Sequence, residues 1–267
     1  MLMDNTLFDE FLPPLRRARG YFLYTADGRR FLDLYQDGGR ALLGHRPDGL
    51  QRVIKSTAAK GLIAGYPSVY ELRVEKALRM LFPGAVSFHV YRDNLEMYRA
   101  LSSVFGMQME AIKIADPLKG ETGEITLWRP FLQTVKKRPP VVIPAIPFPE
   151  GMSPGIAAVF DKNLKPGKGG SPSPFALNST VKIIYELVQV ESAVSREHFS
   201  VFNSSLWDRK GIYLLFKMDK RKYRTFFIKS LEAGVLLPPE SSIPGIIPLT
   251  FEPGHIKNFL RVVKEMQ

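Results

Sequence analysis

With 267 residues, 45% of them hydrophobic, the chain is long enough to bury the core of one large domain, or of a large and a small one. It has no cysteine, which excludes disulfides, thiolate metal sites and cysteine nucleophiles and fits a cytoplasmic location. The net charge of +11 would suit an anionic ligand, an anionic lipid surface or nucleic acid. Its basic runs are scattered, however: Arg16-Arg17-Arg19, Lys136-Lys137-Arg138, Lys162-Lys165-Lys168 and Lys217 to Arg224. No RNA-binding aromatic signature or helix-turn-helix pattern accompanies them, so they read as solvated surface and nucleic acid is not expected as a partner. The opening residues MLMDNTLFDEFLPPLRR carry acids and lack an apolar stretch, so they do not read as a leader. No window approaches the ~18 apolar residues of a membrane span, and no membrane association is expected.

In chain order, Leu7 to Arg17 predicts a short helix broken at Pro13-Pro14. A hairpin follows, turning at Asp27-Gly28. Apolar residues at Leu50, Val53, Ile54 and Ala58 predict a helix over Asp48 to Lys60. Ser68 and Glu71 have the spacing of a capping box for a helix ending near Leu81, before Pro83-Gly84. A strand is expected over Val86 to Val90, then a helix over Asn94 to Phe105 capped by Asp93. The middle section predicts a strand at Ala111 to Ala115, a turn at Lys119-Gly120-Glu121, and a helix from Thr126 to Val135 interrupted by Pro130. Val141 to Ala145 and Ile156 to Phe160 read as buried strands. Lys165 to Pro174 is a loop rich in turn formers. A long helix over Phe175 to Val190 and a helical stretch over Arg196 to Trp207 come next. The closing part reads as strand Ile212 to Lys217, helix Lys222 to Ala233, Gly234 as its cap, strands Val235 to Leu237 and Ile246 to Leu249, and helix Pro253 to Met266.

Particular residues in this order resemble a known family. The glycine-rich loop with Gly38-Gly39 and Gly44-His45, the run Gly65-Tyr66-Pro67-Ser68-Val69-Tyr70-Glu71 and the strand Val86-Ser87-Phe88 resemble the opening of class III aminotransferases. The closest likeness is to the glutamate semialdehyde aminotransferases (aminomutases). Gly211 to Phe216, Leu231 to Leu237 and Pro248 to Ile256 are similar to the family's closing domain. The resemblance implies a pyridoxal-phosphate-dependent fold of type I, here shortened: an α/β fold with a mainly parallel sheet, helices on both faces, and a small α+β domain. The implied division is 1–60 for the N-terminal segment of the small domain with the entrance loop, 61–192 for a truncated large domain, and 193–267 for the C-terminal small domain. It also implies a homodimer, with Gly38 to His45, Gly61 to Tyr70 and Ser171 to Phe175 as candidate interface segments.

Pyridoxal phosphate is the family cofactor. Such an enzyme needs a lysine to hold it covalently, an acid against the pyridine nitrogen, and phosphate donors, commonly at a helix N-terminus. Carried across residue by residue, the family's phosphate loop falls on Tyr91, Arg92, Asp93 and Asn94. Two bulky residues and a carboxylate stand where a phosphate should be approached. Its lysine position falls on Pro147, and no lysine lies between Arg138 and Asp161. Lys162, Lys165 and Lys168 come later, on a loop. The sole candidate for the ring acid is Asp116, which also reads as a plain turn residue before Pro117. The histidines His45, His89, His198 and His255 lack metal-ligand spacing. The expectation is a non-catalytic pseudoenzyme, with no cofactor bound, that takes a small anionic ligand or a protein partner. The alternatives are an active aminotransferase with a rebuilt site and a basic nucleic-acid-binding protein.

Overall fold

In the computed structural model the described residues are 6–62, 66–132, 139–149, 151–194 and 196–267. The expectations for Gly65, for Lys136-Lys137-Arg138 and for the end of the proposed 126–135 helix fall outside them. The chain divides into two compact units, Asp48–Ala193 and a unit joining Met1–Pro47 to Val194–Gln267.

The unit Asp48–Ala193 is built on one four-stranded sheet. Its strands are β4 (Ser87–Tyr91), β5 (Ile125–Trp128), β6 (Val141–Pro144) and β7 (Gly155–Val159), in the order β4-β7-β6-β5. Alternation along the strands decides what each face buries. Val142, Ile156 and Ala158 face α3 (Val69–Leu81) and α5 (Pro174–Ala193), packing against Val74, Leu78, Leu177 and Ile184. Val141, Ile143, Ala157 and Val159 face the other way, onto Met97 and Leu101 of α4 (Asn94–Phe105). Helices therefore cover both faces, as expected. The sheet itself is mixed rather than mainly parallel: β5 and β6 run parallel, while β4/β7 and β7/β6 are antiparallel. Few strands remain to be joined by long crossovers, and a parallel pair needs a connection of a dozen or more residues. Helix α2 (Leu50–Ala59) packs on α5, where Asn178 Nδ2 donates to Thr57 Oγ1 at 2.7 Å.

Two expectations in the middle section are corrected. Ile125–Trp128 is strand β5, not the start of a helix, because Ile125 and Leu127 enter one core with the period of a strand and Pro130 then blocks helical continuation. The region 111–115 is not a full strand: Met109–Ala111 form a 3-10 turn and only Ala115 bridges, to Thr126. Helix α3 starts where expected, but Ser68 Oγ accepts from Tyr70 N at 3.4 Å, and buried Glu71 Oε1 has no partner among the described residues, so the reciprocal half of the box is not formed.

The other unit begins with α1 (Thr6–Phe11) and holds two sheets. Strands β1 (Leu15–Arg19), β2 (Phe22–Thr25), β3 (Arg30–Asp33) and β10 (Val235–Leu236) form one, in the order β1-β2-β3-β10, with β10 parallel to β3. The hairpin turn at Asp27-Gly28 is present, with Gly28 at φ 89°. Strands β8 (Trp207–Lys210), β9 (Tyr213–Phe216) and β11 (Gly245–Ile246) form the other. The expected helix to Trp207 ends at Phe202, and Trp207 instead starts β8, with its indole N–H on the Phe202 carbonyl at 2.7 Å. Helices α6 (Lys220–Glu232) and α7 (Pro253–Met266) pack Phe226 and Phe259 against that indole. Gly234 at φ 82° lets α6 turn directly into β10.

Candidate functional site

Strand direction gathers the expected site positions at one end of the larger sheet. Tyr91 ends β4 opposite Gly155, the first residue of β7. The antiparallel β6 and parallel β5 bring Pro144 and Trp128 to the same end. In an open α/β sheet the end beyond the strands' carboxyl termini is where ligands bind. Pro147 lies buried three residues past β6, in the connection to β7. Tyr91 to Asn94 forms the step from β4 into α4.

That step is closed from within. Tyr91 is 1% exposed, and its hydroxyl donates to the Gly167 carbonyl at 3.0 Å. Burial pushes the Tyr91 phenol up to about 12, so it stays neutral and donates. Asp93 caps α4, Oδ1 accepting from Glu96 N at 2.9 Å. That backbone bond comes first in holding the Asp93 carboxyl below its usual range; burial opposes it and Arg92 adds to it. Glu96 Oε2 accepts from Gly170 N at 3.0 Å, and Glu96 Oε1 pairs with Arg92 at 2.6 Å. The loop after β7 thus returns to lie across the start of α4. Gly169 is required there, since a Cβ on it would stand 2.5 Å from the Tyr91 ring and 3.0 Å from Glu96 Oε2.

A helix N-terminus attracts an anion through its free N–H groups and its dipole. Here the Asp93 carboxylate meets that demand with Glu96 on the same first turn, and a phosphate dianion brought to the same place would face both. The remaining requirements also fail. Pro147 offers no amine. Lys162, Lys165 and Lys168 are exposed on the returning loop. Asp116, the candidate ring acid, is bound bidentately by Arg129, at 3.0 and 2.7 Å, and also caps Leu118 N at 3.0 Å. Burial drives its carboxyl upward, but the Arg129 bonds and charge outweigh this and leave it below the ordinary range. The residues present do not fit pyridoxal phosphate as the family binds it.

The histidines stay apart. His45 Nε2 lies 2.8 Å from Asp33 Oδ2, His89 Nε2 3.1 Å from Ser87 Oγ, and His255 packs edge-on to Phe22. The side chain of His198 lies outside the described residues. Among those described, no group of three or more His, Asp or Glu could hold a metal ion, and no helix is long and apolar enough to cross a membrane. The Gly38-Gly39 loop proved more organised than its two glycines suggested. Gln36, Asp37, Gly38 and Gly39 all have positive φ, and buried Gln36 ties the loop to the Ile246 carbonyl at 3.0 Å. Asp33 accepts from Tyr35 N, Gln36 N and His45 together, pinning both ends.

No protein-family model matches the chain. It is 30% identical over 261 residues to an uncharacterized protein of Borreliella burgdorferi, covering 98% of this chain and 93% of that one. Over 101 residues it is 31% identical to a glutamate-1-semialdehyde 2,1-aminomutase of Sorangium cellulosum, 38% of this chain and 21% of the relative. Its fold matches an N-acetylornithine aminotransferase from Stenotrophomonas maltophilia with a TM-score of 0.67 at 15% identity, covering 98% of this chain and 97% of that one. The chain has the fold of the class III aminotransferases, in a shortened form, and part of its sequence is similar to the aminomutases. The likeness in fold runs along almost the whole chain, and the likeness in sequence to that aminomutase along 38% of it.

Proposed function

We propose that this class III aminotransferase-like chain is a non-catalytic pseudoenzyme that acts by binding a ligand or a protein. The observation that carries this reading is the filled start of α4, where Tyr91, Asp93 and Glu96 bond to the chain's own backbone. Pro147 and the Asp116–Arg129 pair support it, since the covalent anchor and the ring acid are both lacking. The reading includes a homodimer. In its support, Tyr66, Val69 and Leu72 are 72%, 62% and 73% exposed, an apolar run at the start of α3 of the kind that marks an interaction surface. Titrating purified protein with pyridoxal phosphate tests the reading. It requires that no absorption band of a lysine-bound cofactor develops; a saturable band at one equivalent per chain would overturn it.

A further inference from the structure

The outer face of the hairpin sheet carries a pattern of its own. Cross-strand register places Arg17, Tyr24 and Arg30 in one row and Arg19, Phe22 and Leu32 in the next, on the face opposite buried Leu23 and Phe31; Leu32 is itself buried, so the open part of the face is the first row and the Arg19 end of the second. Arg17 lies over the Tyr24 ring at 4.5 Å and Arg30 over the Phe22 ring at 4.6 Å. The three arginines are exposed, and none has a carboxylate partner among the described residues. Acids near them in the sequence are engaged elsewhere: Glu10 with Arg224, Asp27 with Arg29 at 2.9 Å, and buried Asp33 with His45 at 2.8 Å. The result is a row of unneutralised guanidinium groups, two of them held flat by stacking and so partly immobilised before any partner arrives.

We infer that this face of the β1–β2–β3 sheet binds single-stranded nucleic acid. Arg17, Arg19 and Arg30 neutralise phosphates, while the stacked guanidinium–aromatic pairs offer planes to bases. Guanidinium groups suit phosphates because their donors form a fixed fork. A lipid surface is disfavoured, because membrane-binding faces project Trp, Phe or Leu outward, whereas Phe22 and Tyr24 lie half-buried under arginines. Docking by strand addition at β1 is disfavoured too, since this edge strand carries a bulge between Leu15 and Arg17 and three arginines, features that block further pairing. The inference stands independently of whether the aminotransferase site is active.

The test is fluorescence anisotropy of the full chain with a labelled oligo-dT strand across a salt series. Wild type should bind, and log K should fall against log salt with a slope of about −2, from three phosphates neutralised on a single strand. Replacing Arg17, Arg19 and Arg30 together by Ser should weaken binding about tenfold or more and flatten that slope. Tyr24→Leu should weaken binding about tenfold through lost stacking with the slope unchanged. Arg19→Glu, at an exposed and unpartnered site, controls for folding: it should leave the melting curve as it is and still weaken binding. Absence of binding at low salt, a triple variant that binds like wild type, or equal arginine-dependent binding of poly-glutamate or anionic vesicles would overturn the inference.

Discussion

Replacing Gly155 with alanine probes the closed step between β4 and α4 at its tightest point. The backbone there is extended, so alanine meets no φ penalty, and less unfolded-chain entropy would by itself favour the variant by about 0.5–1 kcal/mol. Packing works against it. A Cβ on Gly155 would fall on the Asp93 carbonyl oxygen, with the Asp93 carbonyl carbon and Met97 Cβ both at 2.9 Å. Asp93 has no room to yield, because its side chain caps α4 on Glu96 N and its carbonyl accepts from Met97 N at 3.3 Å. Met97 is fully buried. Overpacking of this kind costs about 1–3 kcal/mol. Relief by lifting the helix start would sacrifice the cap, about 1 kcal/mol, and a backbone bond of about 1 kcal/mol. Relief replaces the overpacking rather than adding to it, so after the entropy gain the net loss should be about 1–2 kcal/mol. Gly167→Ala is the control, because nothing lies within 4 Å of its added Cβ and its φ is not positive; it should stay within about 0.5 kcal/mol of wild type. Urea unfolding gives the magnitudes, and hydrogen exchange of the Asn94–Phe105 peptide shows whether the loss lies in this unit. A Gly155→Ala variant as stable as Gly167→Ala would refute the account of how β7 packs beneath α4.

Pro147→Lys should not produce amino-group transfer from any amino donor, because the phosphate position and the ring acid stay absent and such parts act as a unit; detectable turnover by the single variant would show the loss to be shallower. The Asp116–Arg129 pair should contribute stability above the ordinary carboxylate range and lose it as pH falls through the lowered folded pKa of Asp116. Arg129→Met should therefore be less stable than wild type by about 2–3 kcal/mol at pH 7, with the gap narrowing below about pH 4 in urea titrations; a gap independent of pH would count against the pair. Light scattering at micromolar concentration should give twice the chain mass, and Leu72→Glu, on the exposed side of α3, should shift it toward one; a wild-type monomer would contradict the dimer.

Much of the fold could be read from periodicity and punctuation. Asp93 and Gly106 bound α4, and Pro253 opens α7, where the residue types require. The failures share a physical cause. Ile125–Trp128 is four residues long, too short for its period of two to stand out, and what makes it a strand is pairing with β6, distant in sequence. β8 was hidden because Trp-Asp-Arg-Lys has no clean alternation, and Trp207 is held by aromatic packing from two helices. In the candidate site, the resemblance places Pro147 at the family's lysine position, but that the Gly167–Gly170 loop folds back over Tyr91 could not be read from the sequence, because it depends on contacts more than 70 residues apart. Its one signal was the Gly169-Gly170 pair, of which Gly169 is the one a neighbour crowds.

The central claim is that no lysine of this chain can hold pyridoxal phosphate at a family-type site. Borohydride reduction of the purified protein after incubation with the cofactor, followed by peptide mass spectrometry, tests it most directly. The account predicts only sparse labelling spread over exposed lysines such as Lys162, Lys165 and Lys168, rising with cofactor concentration without saturating. Stoichiometric labelling of one lysine at one equivalent of cofactor would contradict it.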